Sequence, residues 1–414
     1  MPNCWWFQPL ESGEMATKVT AKDRHLNTLE NLRIAWIYPS LAFGAYWQPV
    51  MNEFTKQFKD TRFYTGQLWP GFNPKTPGAS TFQTVGETKF LQTTQVKDGY
   101  SRGFISASPK IIFSLLKFRP KVVFASAFSI WTILALLLKP IGQWKLVIIY
   151  DGSSPNTEFR DSKFRSIIRK LISKFTDAFV ANSYAATSYL IQVLDIPKDK
   201  VYTNTYLVPD QSALLQNAEN AEVLSSELKR PIFLYVGQII TRKGINTLLQ
   251  ACCLLRHQGY NDFTLLVVGD GSQREELEIF VKKNNLIKQV LWVGWVDYDQ
   301  LGHYFDASDV FVFPTLEDVW GMVVLEAMVF GKPILCSKGA NASEMIVEGQ
   351  NGYLLDPHDP EGIAAKMKQL IDKPETISSM GSQSKQLISK YTPQIAAQSF
   401  AEIIALVVKQ GNRI

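Results

Sequence analysis

The stretch Asp309–Ser337, DVFVFPTLEDVWGMVVLEAMVFGKPILCS, decides the fold class that we predict for this chain. Its first part, Asp309–Pro314, is a short run of β-branched and aromatic residues, long enough for one buried strand. A helix-like run, Met322–Phe330, follows between two glycines, and a second apolar strand is predicted at Pro333–Cys336. The stretch therefore predicts a strand–loop–helix–strand unit of the kind that builds parallel sheets.

Two acids in this unit lie where a parallel sheet binds ligands. Asp318 precedes the predicted helix start, and Glu326 lies on the helix at the spacing Asp318-x7-Glu326, with Glu317 beside the first acid. A helix N-terminus offers unpaired N–H groups to an anion, and carboxylates can accept hydrogen bonds from sugar hydroxyls. The alternatives are a helix N-cap for Asp318 and a solvated helix residue for Glu326. The surrounding residues favour the functional interpretation.

The length and composition indicate a soluble chain of more than one domain. A chain of 414 residues is too long for one ordinary core, and 46% hydrophobic with 20% charged residues is typical of globular proteins. The net charge of +5 alone indicates no partner. The four cysteines have neither metal nor disulfide-framework spacing, and the N-terminus lacks signal-peptide features, so we expect a cytoplasmic protein without structural disulfides.

One segment is apolar enough to raise the question of a membrane span. Val122–Leu138 contains 17 residues without a charge, which is at the lower limit for crossing a bilayer. The flanking segments continue an alternation of strands and helices. We therefore favour a buried strand followed by a buried helix over a membrane span.

The same alternation predicts two doubly wound parallel-sheet domains facing each other across a cleft. The predicted divisions are an N-terminal extension (1–30), a first domain (31–209), a linker (210–230), a second domain (231–392) and a C-terminal helix (393–414) that returns to the first domain. Residues 63–95 are predicted to be a long loop or short strands. Ligands are expected in the cleft, at the carboxyl ends of the strands.

A loop of the second domain has the features of a phosphate site. Gly237–Gly244, GQIITRKG, follows a predicted strand and precedes a helix, and it adds the cations Arg242 and Lys243 at the helix start. A diphosphate leaving group needs such a place, because charge develops on it as its bond breaks. The alternative is a surface turn with basic residues. The following Gly269-Asp270-Gly turn is a weak signal by itself.

Two further acidic positions have open interpretations. Asp151 follows a first-domain strand. It either binds substrate, or acts as a polar group at the reacting carbon, or simply forms a turn. Asp297-Tyr-Asp299 matches a motif with which some sugar-nucleotide enzymes hold a divalent metal. We favour a helix cap at Asp299 and predict no metal site.

The segment Ser162–Phe175 predicts a basic amphipathic helix. Its apolar residues fall on one stripe, and its lysines and arginines lie largely off that stripe. Such a helix either lies on an anionic membrane surface or packs on the sheet with a solvated basic face. We favour packing, which does not exclude a membrane role.

Taken together, these motifs resemble the retaining glycosyltransferase family 4, which has the two-domain GT-B fold. The family's glycine, basic residue and lysine-glycine loop, its Gly-Asp-Gly turn and its acid-x7-Glu motif read here GQIITRKG, VVGDGS and DVWGMVVLEAM, followed by GKPILCS and NGYLLD. The resemblance is strong over Ile232–Asp356 and continues more weakly over Leu32–Asp210. The motifs are specific together, whereas no single one is.

The resemblance implies a role for each matching residue. Lys243 would hold the donor diphosphate, Glu326 the ribose hydroxyls and Asp318 the hydroxyls of the donor sugar. The backbone of Gly321, Met322 and Val323 would meet sugar and phosphate, and Trp295 and Val296 would line the base. The predicted donor site also includes Gly237, Gln238, Arg242, Gly269 and Asp270, the acceptor side includes the loop at Gly44, and the predicted catalytic residues are Asp151, Asp318 and Lys243.

The sequence departs from the family pattern at three places. Gln238 stands where the family has an arginine, so either Arg242 compensates or Lys243 acts alone. The first motif acid is the shorter Asp318, with Glu317 as an alternative. The family's first-domain histidine is absent, and Asp151 stands in its place.

The expected function is transfer of a hexose from a UDP-, GDP- or ADP-sugar to a hydroxyl of a polysaccharide, glycolipid or small molecule. We expect the anomeric configuration of the hexose to be retained, and we expect no metal or cofactor. The alternatives are a sugar-nucleotide epimerase, a phosphorylase or a non-catalytic sugar-nucleotide-binding protein. A nucleic-acid partner is not expected, because no basic stripe with interleaved aromatics is present. The expected location is cytoplasmic, with a peripheral position on the inner face of a membrane as an alternative.

Overall fold

Two parallel sheets form the framework of the molecule. The computed structural model describes residues 31–42, 44–94, 100, 102–152, 154–158, 160, 162–218 and 228–410. The predicted extension (1–30), the last four residues and linker residues 219–227 therefore lie outside the described residues. The first sheet has the order β3-β2-β1-β6-β7-β8-β9 and the second β12-β11-β10-β13-β14-β15, and every pairing within them is parallel.

The first domain alternates strands and helices, as predicted. Its strands are β1 (Ile34–Tyr38), β2 (Thr61–Thr65), β3 (Phe82–Thr84), β4 (Thr88–Thr94), β5 (Arg102–Ala107), β6 (Val122–Ser126), β7 (Lys145–Tyr150), β8 (Ala178–Ala181) and β9 (Val201–Thr203). Its helices are α1 (Trp47–Gln57), α2 (Ile111–Phe118), α3 (Ile130–Gly142), α4 (Pro155–Glu158), α5 (Lys163–Phe175) and α6 (Tyr184–Ser188), the last continuing as a π-turn, Tyr189–Val193. Strands β4 and β5 form a separate antiparallel hairpin.

The second domain follows the same plan. Its strands are β10 (Ile232–Val236), β11 (Thr264–Val268), β12 (Val290–Gly294), β13 (Val310–Phe313), β14 (Ile334–Ser337) and β15 (Gly352–Leu355). The helices after the first domain are α7 (Gln211–Ala218), α8 (Ile245–His257), α9 (Arg274–Lys283), α10 (Leu301–Ala307), α11 (Met322–Val329), α12 (Pro360–Asp372), α13 (Glu375–Ile388) and α14 (Pro393–Gln410). These two doubly wound sheets confirm the predicted fold class.

The C-terminal helix α14 packs on the first domain. Phe400 lies 4.8 Å from Trp36 and 5.5 Å from Phe124 between ring centroids, and Tyr206 lies 5.5 Å from it. Alternate residues of β1 and β6 point to this face, because side chains in a strand alternate between the two sides of the sheet. The apolar core on this side continues into the second domain through Trp320, whose indole N–H donates to the carbonyl of Leu207 at 3.1 Å.

Three sequence-based interpretations need comment. Val122–Leu138 contains strand β6 and most of helix α3, and among the described residues no helix is both long and apolar enough to cross a membrane. The cap predicted at Asp299 is wrong, since helix α10 begins at Leu301 and Asp299 lies in a single 3₁₀ turn before it.

The favoured packing of Ser162–Phe175 is wrong for most of its apolar stripe. Phe164 is 73% exposed, and Ile167, Leu171 and Phe175 are also exposed. Only the inner edge of the stripe, around Ile172, is buried against the sheet. The stripe is wider than the contact that the sheet offers, so a large part of it faces outward.

Candidate active site

The candidate site lies at the carboxyl ends of the central strands of the second sheet. The loop after β10 contains a 3₁₀ turn, Thr241–Lys243, and runs directly into helix α8 through Gly244. Gly244 has a φ of +69°, and a Cβ there would lie 2.0 Å from the carbonyl oxygen of Pro314. A side chain is thus excluded, and the loop after β10 packs its backbone directly against the loop after β13.

This close approach brings two predicted residues from different loops together. The Nζ atom of Lys243 lies 2.5 Å from Oδ2 of Asp318, and both side chains are nearly buried, at 13% and 10% exposed. The ammonium also lies 5.1 Å from the centre of the Phe313 ring. Asp318 is held further by the backbone N–H of Trp320, which donates to Oδ1 at 3.3 Å.

Each partner of this pair favours the charged form of the other. Burial opposes ionisation of Asp318, but the Lys243 ammonium outweighs this effect, so the pKa of Asp318 is lowered. Burial lowers the pKa of Lys243, and the carboxylate opposes that shift. Each partner thus stabilises the charge of the other in a site where an isolated charge would be costly.

Arg242 lies beside this pair and stacks on a tyrosine of the first domain. Its guanidinium carbon is 4.1 Å from the centre of the Tyr100 ring, and its Nη1 donates to the carbonyl of Glu317 at 2.8 Å. Nη1 is also 3.7 Å from Oδ2 of Asp318. The Tyr100 hydroxyl donates to Oδ1 of Asp318 at 3.3 Å. Arg242 and Lys243 thus place two cations around one carboxylate at the inter-domain surface.

Glu317 is used differently from its neighbour and joins the two domains. Its carboxylate accepts from the backbone N–H and the side-chain amide of Asn156, at 3.1 and 2.9 Å. It also accepts from the backbone N–H of Tyr100 at 3.1 Å. Of the two adjacent acids, Asp318 therefore meets the lysine, whereas Glu317 holds the first domain in place.

A second carboxylate makes a similar contact between the domains. Glu344, in the 3₁₀ turn Asn341–Met345, accepts from the backbone N–H of Tyr184 at 2.9 Å. Tyr184 begins helix α6 in the first domain, where backbone N–H groups lack helical partners. Burial raises the pKa of Glu344 to about 7. Glu344 thus lies at the domain interface.

Glu326 lies on helix α11 and faces a cavity between the domains. The cavity has a volume of about 580 Å³, and its walls come from Tyr46 in the first domain, Asp210 in the segment between the domains, and Tyr298 and Met322 in the second. The Tyr298 hydroxyl donates to Oε1 of Glu326 at 3.1 Å. Burial raises the pKa of Glu326 to about 7. A carboxylate at the wall of such a cavity can accept hydrogen bonds from ligand hydroxyls.

Asp151 lies in a different group, at the carboxyl end of the first sheet. Burial raises its pKa to about 6, and its charge helps to raise the pKa of Tyr38, Tyr46 and Tyr206, for which burial is the larger cause. The hydroxyls of Tyr38 and Tyr206 are buried and, among the described residues, have no hydrogen-bond partner. In the described part of the chain, Asp151 makes no hydrogen bond or ion pair with Lys243.

The remaining predicted residues occupy neighbouring strand ends. Gly269 meets Gly237 backbone to backbone, since a Cβ at the former would lie 2.0 Å from the carbonyl oxygen of the latter. Gln238 is exposed, and Asp270 forms an ion pair with Arg274 at 3.5 Å. Further along this edge, Gly321 caps helix α11 ahead of Met322 and Val323, Trp295 is 76% exposed after β12, and Val296 is half-buried. Gly44 lies instead in the first domain, just before helix α1.

Sequence reasoning did not find several residues of this site. Tyr100 and Asn156 lie in the first domain outside the predicted motifs, and their contacts with Glu317 and Asp318 depend on how the domains meet. Tyr298 was seen only as the middle of the Asp-x-Asp motif. The described residues contain no group of three or more His, Cys, Asp or Glu side chains placed to hold a metal ion.

The second domain is recognised by comparison with known families. Residues 216–387 match the family model described as "Glycosyl transferases group 1". The alpha-D-kanosaminyltransferase of Streptomyces kanamyceticus is 26% identical over 216 residues, covering 50% of this chain and 55% of that protein. This chain spans about half the length of the curated relatives it matches.

Solved structures share the whole two-domain architecture. HepE of Anabaena in complex with UDP superposes with a TM-score of 0.71 at 17% identity, covering 90% of this chain and all of that one. Sucrose-phosphate synthase from Thermosynechococcus elongatus gives a TM-score of 0.68 at 17% identity, covering 92% of this chain. The chain thus has the GT-B fold, and it carries a glycosyl transferases group 1 domain.

Proposed function

We propose that this chain, whose second domain is a glycosyl transferases group 1 domain, is a retaining glycosyltransferase of family 4. It moves a hexose from a nucleoside diphosphate sugar to an acceptor hydroxyl. The observation that carries the proposal is the meeting of Lys243, Arg242 and Asp318 at the start of helix α8, within the cleft between the domains. The related GT-B protein HepE of Anabaena has been solved in complex with UDP and with UDP-glucose, which supports a nucleotide-sugar donor.

The donor lies across the carboxyl edge of the second sheet in this proposal. Its diphosphate binds near Lys243 and Arg242, and its hexose hydroxyls donate to Asp318. Its ribose hydroxyls donate to Glu326, at the wall of the inter-domain cavity. Trp295, exposed after β12, offers an aromatic face to the base.

Charge on the departing diphosphate is stabilised by side chains of the protein. As the bond between the anomeric carbon and the diphosphate oxygen breaks, negative charge grows on that oxygen. Lys243 and Arg242 are fixed beforehand by Asp318, Phe313 and Tyr100, so little reorganisation is needed when the charge appears. With two cations in place, the reaction proceeds without a divalent metal, and a chelator should leave turnover unchanged.

The acceptor approaches from the first domain. Asp151 lies at the carboxyl edge of the first sheet beside Tyr38 and Tyr206, whose buried hydroxyls have no hydrogen-bond partner among the described residues. Asp151 is partly exposed, so its carboxylate can accept a hydrogen bond from an acceptor hydroxyl. Because the first-domain histidine of the family is absent, we assign to Asp151 the role of the polar group beside the reacting carbon.

A donor screen tests the binding half of the proposal. Thermal unfolding is measured with UDP-, GDP- and ADP-glucose, and a donor at a hundred times its dissociation constant should stabilise the protein by about 2.7 kcal/mol. Glu326→Gln should reduce this stabilisation, whereas Asp262→Asn, at an exposed position in the same domain, should not. Absence of stabilisation by every nucleoside diphosphate sugar would contradict the proposal.

The products test the reaction. Transfer predicts release of nucleoside diphosphate that depends on an added acceptor, and proton NMR of the product should show the anomeric configuration of the donor. An epimerase would release no diphosphate. Donor binding without any acceptor-dependent release, across a broad acceptor panel, would favour a non-catalytic binding protein.

A further inference from the structure

The outer face of the first domain carries an unusual number of exposed apolar side chains. Helices α2, α3 and α5 cover this face of the sheet, on the side opposite to helices α1 and α14. Leu137 and Ile141 on α3 are 69% and 72% exposed, and Phe113 on α2 is 75% exposed. With the outward residues of α5, they form what we call the outer face: Phe113, Leu137, Ile141, Phe164, Ile167, Leu171 and Phe175.

A groove divides this face between helices α3 and α5. Its volume is about 760 Å³, and its walls are largely aliphatic, including Leu136, Leu137, Ile168 and Leu171. Lys139 lies at its rim and pairs with Asp177 at 2.6 Å. Soluble monomers rarely expose apolar surfaces of this extent without a partner.

The charge of the same helices is entirely of one sign. Helices α2, α3 and α5 contain seven lysines and arginines and no aspartate or glutamate, in a chain whose formal net charge is +5. The rest of the chain is therefore net negative. Lys117, Lys163 and Lys174 are exposed on these helices. Long basic side chains can extend past apolar neighbours and keep their charge at a polar boundary.

The hairpin β4–β5 extends this apolar character. Ala107, at the end of β5, packs against the core beneath α2 and α3, and the indole N–H of Trp131 on α3 donates to the carbonyl of Ser108 at 2.8 Å. Phe90 and Phe104 are exposed on the hairpin, although an isolated two-stranded hairpin in water is only marginally stable. Its base is thus anchored to the helices that carry the outer face.

We propose that the outer face is a docking surface for an anionic lipid bilayer, with Phe164, Ile167 and Leu137 in the acyl boundary and Lys163 and Lys174 at the headgroups. Apolar side chains on one surface with cations beside them are the combination that interfacial helices use. The outer face lies on the opposite side of the first sheet from α14. This placement does not depend on the proposed catalytic function.

The charge argues for a bilayer rather than for a second copy of the chain. Pairing two outer faces would bring two sets of like charges together, which opposes association. An anionic surface instead attracts the same cations. Apolar burial and electrostatic attraction therefore act in the same direction only on a negatively charged bilayer.

Vesicle flotation of the full chain tests the proposal. The protein should float with vesicles of phosphatidylcholine and phosphatidylglycerol, float much less with phosphatidylcholine alone, and be released by high salt. Phe164→Ser/Ile167→Ser should abolish flotation. Lys163→Ala/Lys174→Ala should weaken the apparent affinity for anionic vesicles by roughly 25-fold, since each lysine near the surface counts for roughly a fivefold change.

Two controls separate the outer face from general surface changes. Ile279→Ser and Lys282→Ala/Lys283→Ala alter exposed residues of α9 in the second domain and should float like the unchanged protein. Circular dichroism confirms that each variant is folded. Three results would overturn the proposal: no binding to anionic vesicles, binding unaffected by the outer-face variants, or a dimer that these variants convert to a monomer without any vesicle binding.

Discussion

Lys243→Ala is the perturbation that most directly tests the proposed chemistry. Its Nζ atom lies 2.5 Å from Asp318, and the side chain is 13% exposed, so the ammonium is held in place before any donor arrives. Removing one preorganised contact to developing charge typically lowers the rate on the order of 10²–10³-fold, or about 3–4 kcal/mol. Since Arg242 remains 3.7 Å from the same carboxylate, we expect a residual rate above background.

Lys243→Ala should also lower the free energy of unfolding. Losing one partner of a buried ion pair costs about 3–5 kcal/mol when the other charge is left alone. Here Arg242 and the backbone N–H of Trp320 still face Asp318, so we expect a cost below that range. Lys243→Ala/Asp318→Asn removes the remaining charge as well, and it should recover stability without recovering turnover.

The assay is initial-rate release of nucleoside diphosphate, at a temperature below the unfolding midpoint of every variant. Lys332→Ala is the matched control, because Lys332 is a half-buried lysine of the same domain that donates to backbone carbonyls of Asp306 and Ser308. It should lower stability and leave turnover per folded molecule unchanged. A folded Lys243→Ala variant with near-normal turnover would refute the assignment of Lys243 to the diphosphate.

Three further predictions concern stability and domain closure. Burial raises the pKa of Glu326 from 4.5 to about 7. The contribution of this group to stability is therefore present at low pH and is lost as the pH rises through this window. In denaturant unfolding, Glu326→Gln should remove up to about 3 kcal/mol of this pH dependence. Asn156→Ala removes a hydrogen bond between the first domain and the buried carboxylate of Glu317, so small-angle scattering should show a more open average shape. Unchanged dimensions would contradict a role of Asn156 in holding the two domains together. Phe400→Ala should lower the free energy of unfolding by about 3–5 kcal/mol, because the ring is fully buried among first-domain aromatics, whereas Ile395→Ala, half-exposed on the same helix, should cost far less.

The sequence predicted those parts of the fold that depend on local patterns. The strands predicted at Asp309–Pro314 and Pro333–Cys336 are short apolar runs, and the helix after Gly321 has clear stop signals, so their bounds were found within one or two residues. Helix Gln211–Ala218 was missed within the predicted linker, since its composition is polar and only residues such as Leu214 reach the core.

The site was predictable only where both partners lie on one motif or follow strands that are neighbours in one sheet. Lys243 and Asp318 follow strands that are neighbours in the sheet, and parallel strands bring their carboxyl ends to one edge. The contacts of Tyr100, Asn156 and Tyr184 with the second domain depend on the approach of two sheets, which no local pattern encodes. The exposure of Phe164 was mispredicted for a similar reason. The spacing of apolar residues shows which side of a helix is apolar, but it does not show how much of that side the neighbouring sheet covers.

The two passages of the chain between the domains lie side by side. The side-chain amide of Gln211, just after the first passage, donates to the carbonyls of Ile388 and Tyr391, just before the second, at 3.1 and 3.2 Å. A few such chain segments between domains can act as a hinge. Asp210, at the first passage, also borders the cavity that contains Glu326. Among the described residues, the hydrogen-bond partners of the Glu317 carboxylate all come from the first domain, so an opening of the angle between the domains would break these bonds.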